Sequence, residues 1–325
     1  MGDLNLGLWA VAGFFVISGY LITGSRMRLS LTQFALRRVL RIYPGFWVCL
    51  VVVAFVFAPL AALRTSVPFD LSRAARFVGS NATTVLSQMR IGGELDRVPY
   101  SDSGDAPLWT LQHELTCYAL TGLLLCWGWA RRDVTRTTVA VLTMVTAFNA
   151  AGAQAGLARG SFVVEFMRLA AFFAAGSLLW SFRDRVRVNR WCVTASVVVL
   201  AVFAVLGVVD LFGALPLAYL VLAFAAWCPV RWGVERDLSY GVYVYAWPVQ
   251  RALVLAGMAR FGPALFIAAA VALVVPLAWL SWTFVERPVL SVVRRRSPRL
   301  GLNGAGLSGS LAAITIDGTA KPSSP

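Results

Sequence analysis

The sequence predicts an all-α, polytopic transmembrane bundle of about nine spans, and three observations carry that prediction. Apolar runs of about 20 residues recur along the chain, the length a helix needs to cross roughly 30 Å of hydrocarbon. Hydrophobic residues make up 59% of the 325 positions and mean hydropathy is +0.73, well outside the balance of a water-soluble globular domain. The basic residues, finally, collect in alternate connections rather than evenly.

Taken in order, the spans fall near residues 6–24, 44–63, 107–129, 134–152, 161–182, 191–209, 211–228, 238–257 and 263–284. Placing 25–43, 130–136, 183–190, 229–237 and 285–325 on one side assigns 20 of the 29 basic residues there and 7 to the other. Positive charge marks the cytoplasmic face, so the carboxyl terminus is expected inside. Nine spans then put the amino terminus outside, although Met1–Asn5 shows no basic leader pattern, so a tenth span upstream is expected. Residues 25–43 alternate Arg26, Arg28, Arg37, Arg38 and Arg41 with apolar side chains, as an amphipathic helix lying in the inner interface would. Residues 64–106 read as one long extracytoplasmic loop, a polar lid with five arginines against five acids. The domain is expected over 1–290, and 291–325, basic and then rich in Gly, Ser, Ala and Pro, as a disordered cytoplasmic tail.

The net charge of +14 would point to nucleic acid in a soluble protein. Here topology explains it, and no basic stretch with interleaved aromatics suggests a nucleic-acid groove. One histidine and five dispersed cysteines leave almost no ligands for a metal, so no metal site and no bound cofactor are expected, and the cysteines read as small packing residues.

Chemistry is expected first where an ionisable group sits within an apolar run. Glu114 and the chain's single histidine, His113, lie inside Leu108–Leu125. A charge in hydrocarbon is costly, so such residues usually face an interior and serve function. Glu114 and Tyr118, four apart, share a helix face, whereas His113 points about 100° away, at the wet outer mouth. Glu114 reads as a general base, as a group that orients one, or as a ligand for a polar acceptor; the alternative is a structural carboxylate. In Gly13–Thr23, the small residues Gly13, Ser18 and Gly19 allow another helix or a ligand close to the backbone. Arg38 and Arg41 share a face, Arg37 can join them, and their guanidinium groups can clamp phosphate or contact lipid headgroups. In Leu238–Arg251, Tyr240 and Tyr243 repeat at helical spacing before a kinking Pro248, as an interfacial belt or a cavity wall, and Arg251 needs a partner. Glu165 and Arg168, three apart, can pair. Glu286 ends the last span, either hydrated or paired with Arg287 or another basic loop.

Read together, these segments resemble the acyltransferase-3 family of integral-membrane acyltransferases, with patterns FFxxSGxLI, RRxxRIxP, LWxLxxExxxY, SYxxYxxxxP and ERP. They match at Phe14–Ile22, Arg37–Pro44, Leu108–Tyr118, Ser239–Pro248 and Glu286–Pro288. The resemblance covers residues 7–288 and implies a core of ten spans. It also implies transfer of an acyl group, usually acetyl, from acyl-CoA as co-substrate to a hydroxyl on a sugar, surface glycan, glycolipid or glycosylated metabolite. It places Arg38 and Arg41, with Arg37, at the donor side and Trp109 and Glu114 in the functional core. Tyr118, Ser18, Tyr240 and Glu286 are assigned to the same core. The family's proposed catalytic histidine belongs to an arginine–histidine pair ahead of the FFxxSG segment, beyond the first residue here, and His113 does not correspond to it. Little activity is therefore expected of this polypeptide alone; a mis-assigned start codon, a truncation and a degenerate homologue are the three explanations, and the first is favoured. The rival functional class is a transporter, against which the lack of an internal repeat weighs; a non-catalytic scaffold is the third.

Overall fold

Each of the nine expected spans coincides with a helix in the computed structural model, which describes residues 6–65, 68–83, 107–157, 160–227, 238–296 and 315–316. In chain order the helices are α1 (Leu6–Arg28), α2 (Leu31–Val52), α3 (Ala58–Thr65), α4 (Leu71–Asn81), α5 (Pro107–Leu124), α6 (Gly128–Arg132), α7 (Val134–Gln154), α8 (Phe162–Ser181), α9 (Arg190–Val205), α10 (Val209–Phe212), α11 (Ala214–Trp227), α12 (Ser239–Leu255), α13 (Pro263–Ser281) and α14 (Arg287–Arg296). Wider π-helical turns join α2 to α3 (Val53–Phe57) and α13 to α14 (Trp282–Glu286). The architecture is all-α, apart from a two-residue parallel pairing of Arg187–Val188 with Thr315–Ile316. Among the described residues, four helical stretches are long and apolar enough to cross a membrane: Gly7–Arg28, Leu31–Arg64, Phe162–Ser181 and Pro263–Ser291.

Two expectations need correction. Residues 25–43 are not a separate interfacial helix: α1 ends at Arg28, and α2 then continues without a break into the second span. Ser30 starts it, because its hydroxyl accepts from the Gln33 amide N–H at 3.3 Å while the Gln33 side chain accepts from the Ser30 N–H at 3.4 Å, a reciprocal cap. Pro44 lies inside this helix and only removes one amide donor. The segment 64–106 is not wholly a loop either, since it contains α4. Its residues 66–67 and 84–106 lie outside the described ones, but α4 turns back along α2, and at its C-terminal end the Ala82 carbonyl accepts from the Trp47 indole at 2.9 Å. Trp47 precedes Arg64 by about 25 Å of helix. The cause is amphipathicity: Ala74, Phe77 and Asn81 fall on one face and are buried, and Asp70 caps the N-terminus by accepting from the Ser72 and Arg73 amides.

The chain divides into two units, residues 1–34, 113–231 and 303–325 in one and 35–112 with 232–302 in the other. In the first, α1 packs along α8 at backbone distance. A Cβ on Gly19 would lie 1.9 Å from the Phe173 carbonyl oxygen, and one on Gly176 would lie 2.0 Å from that of Val16, so only hydrogen fits at either place. The Ser177 hydroxyl, beside that contact, donates to the carbonyls of Gly19 and Phe173. Tyr20, Leu125, Ala130, Val134, Trp180 and Leu222 form the core around it.

In the second unit α12 packs on α13, where a Cβ on Gly241 would meet the Ala278 Cα at 2.8 Å, and Val249, Leu253, Ala270 and Val274 make the core. Pro248 cannot donate to Val244, and the Cys49 thiol reaches that carbonyl instead at 3.5 Å. Within each unit the contacts fix direction: Gly24 meets Trp180 further along both helices than Gly19 meets Phe173, and Tyr240 meets α2 at Ile42 while Val244 meets it at Cys49. Thus α1 runs parallel to α8 and α12 parallel to α2, as alternate passage through one bilayer requires of those spans.

Replacing Gly19 or Gly176 by alanine is expected to destabilise the protein by about 1–3 kcal/mol through overpacking. Gly13→Ala, whose nearest neighbour would be Val221 at 3.7 Å, is expected to be neutral or stabilising. Thermal unfolding of the three purified variants in one detergent checks the contrast.

Candidate functional site

Glu114 lies on the second turn of α5 and is 5% exposed. Its Oε1 accepts from the hydroxyls of Ser18, at 3.3 Å from α1, and of Tyr118, one turn further along α5. His113 leaves this cluster, as its position on the helix requires, and stacks on Phe162 (ring centroids 4.5 Å apart) and Phe166 of α8. It is 3% exposed, so the wet-mouth expectation is corrected: its ring is part of an aromatic packing layer. Trp109 stands in the first turn of α5.

What keeps Ser18 opposite Glu114 is a residue the sequence reading treated as a topogenic charge. Arg26 is 3% exposed and donates to the carbonyls of Gly122 (3.0 Å), Leu125 (3.2 Å) and Leu29 (2.9 Å) and to the Cys126 sulfur (3.3 Å). Gly122 and Leu125 lie at the C-terminal end of α5, where unbonded carbonyls carry partial negative charge, so a cation is well placed there. Arg26 follows Ser18 by eight residues and Gly122 follows Glu114 by eight. The two contacts therefore hold α1 and α5 parallel at two levels about 12 Å apart. Cys126, expected as mere packing, instead accepts from Arg26 and donates to Gly122.

The second cluster lies in the other unit. The Arg41 Nη1 meets Glu286 Oε2 at 2.9 Å, and Ser281 donates to the other carboxylate oxygen at 3.2 Å. Glu286 is 1% exposed, so of the three expected alternatives it is neither hydrated nor paired with Arg287 but pairs with another basic segment, through Arg41 of 25–43. The π-turn Trp282–Glu286 carries both Glu286 and Trp282, and the Arg41 guanidinium lies over the rings of Trp282 (5.6 Å) and Tyr240 (5.7 Å). Tyr240 is held in turn, its hydroxyl donating to the Ile42 carbonyl at 2.7 Å, and Gly45 gives its ring room. Arg37 and Arg38 stand half-buried on the preceding turn of α2. Tyr243 bonds Thr110.

Of two other pairs, Glu165–Arg168 matches the expected spacing, and the second gives Arg251 a partner the sequence did not name. Arg168 binds Glu165 at 2.7 Å, and Arg251 stacks over Trp247 at 4.5 Å. Among the described residues, no group of three or more His, Cys, Asp or Glu is placed to hold a metal ion.

A sequence profile described as an acyltransferase domain matches residues 1–283, a range that holds Ser18, Arg26, Arg41, Glu114 and Tyr240 and ends three residues before Glu286. The chain belongs to the acyltransferase-3 family. It is accordingly an enzyme that transfers acyl groups. It is 27% identical over 314 residues to a protein of Shigella phage Sf6 named O-acetyl transferase, covering 93% of this chain and 90% of the relative. It is 29% identical over 325 residues to nodulation protein 10 of Rhizobium leguminosarum bv. viciae, covering 90% and 86%. No solved structure matches the chain. The family patterns now have physical content: FFxxSG supplies the Gly19 contact and the Ser18 donor, the last arginine of RRxxR supplies the ion pair, and ERP supplies its carboxylate.

Removing Arg41 alone strands a buried carboxylate. Arg41→Met is expected to cost about 3–5 kcal/mol, and Glu286→Leu a comparable amount, whereas the double variant should cost clearly less than their sum. Unfolding free energies of the four proteins close that cycle.

Proposed function

We propose that the chain is an O-acyltransferase of the bacterial inner membrane, with its carboxyl terminus cytoplasmic, that moves an acetyl group from acyl-CoA to a sugar hydroxyl. The acceptor would be a surface glycan, glycolipid or glycosylated metabolite. The phage relative's name supports the acetyl group and the oxygen acceptor. The charge asymmetry supports the orientation. The observation that carries the reading is the buried carboxylate of Glu114, bound by two hydroxyls, the functional group a sugar presents.

In this reading an acceptor hydroxyl joins or displaces Ser18 at Glu114, which orients it and draws on its proton. The oxygen attacks the thioester carbonyl, the C–S bond breaks, and the CoA thiolate leaves and takes up the proton. Arg38, with Arg37, holds the phosphates of the donor through charge-assisted bonds. Arg41 is tied to Glu286 and stacked on two rings, so it fixes the wall from which Arg38 reaches rather than binding the donor freely. Tyr240 and Trp282 complete that wall.

Glu114→Gln is expected to lower kcat by about 10²–10⁴ and leave KM for acyl-CoA unchanged. Arg38→Gln should do the reverse, raising that KM roughly tenfold with little loss in kcat. The measurement is labelled acetyl appearing as alkali-labile ester in the glycans of membranes that contain the protein. Transfer that survives both Arg38→Ala and Glu114→Ala would sink the assignment.

A further inference from the structure

The helix α4 is polar on one side and yet lies beside the interior of a span. It packs on the π-turn Val53–Phe57, well inside the apolar stretch Leu31–Arg64 that α2 and α3 form. Just past its end the Ala82 carbonyl accepts from the Trp47 indole at 2.9 Å, and the Thr83 carbonyl from the Tyr43 hydroxyl at 3.4 Å. α4 thus runs antiparallel to that span, inward from the Arg64 end. Arg76, six residues before Ala82, lies about 9 Å along the helix from the Trp47 bond and about 16 Å short of Arg64.

The two faces of α4 differ. Ala74, Phe77 and Asn81 are buried, whereas Ser72, Arg73, Arg76, Ser80 and Thr83 are exposed. A Cβ on Gly79, on the exposed side, would meet nothing within 4 Å, so that side borders open space. Arg73 pairs with Asp70 at 3.3 Å, and Arg76 donates to the Ser72 carbonyl at 3.4 Å, which keeps both guanidinium groups on this face. The span beside it presents the opposite kind of surface, with Val51, Phe55, Val56 and Leu60 exposed. Those side chains suit hydrocarbon. A face of arginine, serine and threonine does not, because lipid supplies no hydrogen bonds and Arg76 is too far from the end of the span to reach headgroups.

We infer that the polar face of α4 lines a water-filled inlet, open at the Arg64 end of the second span and reaching inward to Trp47. Polar structure at membrane depth is stable where it borders water, and here the water satisfies the serines, the threonine and the outer donors of the two arginines. The inlet ends on an aromatic floor: the rings of Tyr43 and Trp47 meet edge to face at 5.5 Å, and the polar atom of each is tied to the end of α4. Its occupant is water together with hydrophilic solutes. In the function proposed above that solute is the hydroxyl-bearing acceptor, for which the inlet is the way into the bilayer; this use rests on that reading, and the inlet itself does not.

The test is cysteine accessibility of the full chain in sealed membranes, with a charged, membrane-impermeant methanethiosulfonate applied to one side at a time. Such reagents attack the thiolate, which forms in water and not in hydrocarbon. The unsubstituted chain, with its five cysteines, supplies the blank. Arg64→Cys marks the side on which that end of the span lies. Ser72→Cys, Arg76→Cys and Ser80→Cys are expected to react from that same side, roughly a hundredfold faster than the lipid-facing Val56→Cys and Leu60→Cys. Ala74→Cys and Phe77→Cys should stay unreactive, so that reactivity follows the helical repeat. The serine replacements change one atom on an exposed face, so they report even where the arginine variant fails to fold. The labelling needs neither donor nor acceptor and so reads the inlet apart from the reaction. Reaction of Ser72→Cys and Ser80→Cys as slow as that of Val56→Cys, reaction only from the side opposite Arg64→Cys, or equal reaction at Ala74→Cys and Phe77→Cys overturns the proposal.

Discussion

The first unit depends on a buried guanidinium. Arg26 sits at the end of α1, where a basic residue would ordinarily reach for lipid headgroups, and instead turns inward to close the end of α5. In an apolar medium a carbonyl with no donor costs far more than it would in water, and a guanidinium with no acceptor costs more still. Each therefore needs the other. Their bonds set the register of α1 against α5, and that register brings Ser18 to Glu114. The close passage of α1 along α8, possible only at Gly19 and Gly176, fixes the other side of the same helix. α1 is thus held from two directions, and the carboxylate it helps to bind has little freedom to move.

The second unit solves a similar problem differently. Glu286 is buried more completely than Glu114, but its charge is answered by Arg41, a serine hydroxyl and the faces of two aromatic rings. A carboxylate so fully engaged is suited to hold a wall in place.

The spans were legible because the length of an apolar run is a one-dimensional property, and the pairing of Glu114 with Tyr118 was legible because it lies within one helical turn. Contacts between distant segments were not. Nothing near Ser18 signals a partner 96 residues away, and nothing near Arg26 distinguishes an arginine that meets lipid from one that meets carbonyls. The amphipathic pattern of 25–43 was ambiguous for a physical reason: a helix with one polar face can lie flat at an interface or stand upright with that face against protein. The Ser30–Gln33 cap was the local signal that would have favoured the second reading. The return of α4 along α2 rests on its three buried side chains, Ala74, Phe77 and Asn81, a pattern too short to outweigh the polar composition around it.

The long sequence separation of the Arg26 contacts has a consequence for biogenesis. α1 leaves the ribosome about a hundred residues before the carbonyls that will receive its arginine, so during synthesis Arg26 must stay at the aqueous boundary, where it helps to anchor the first helix. Once α5 has been inserted the same side chain is withdrawn from water. One positive charge thus becomes a latch on the folded product, and a neutral substitute would leave the Gly122 and Leu125 carbonyls without that donor.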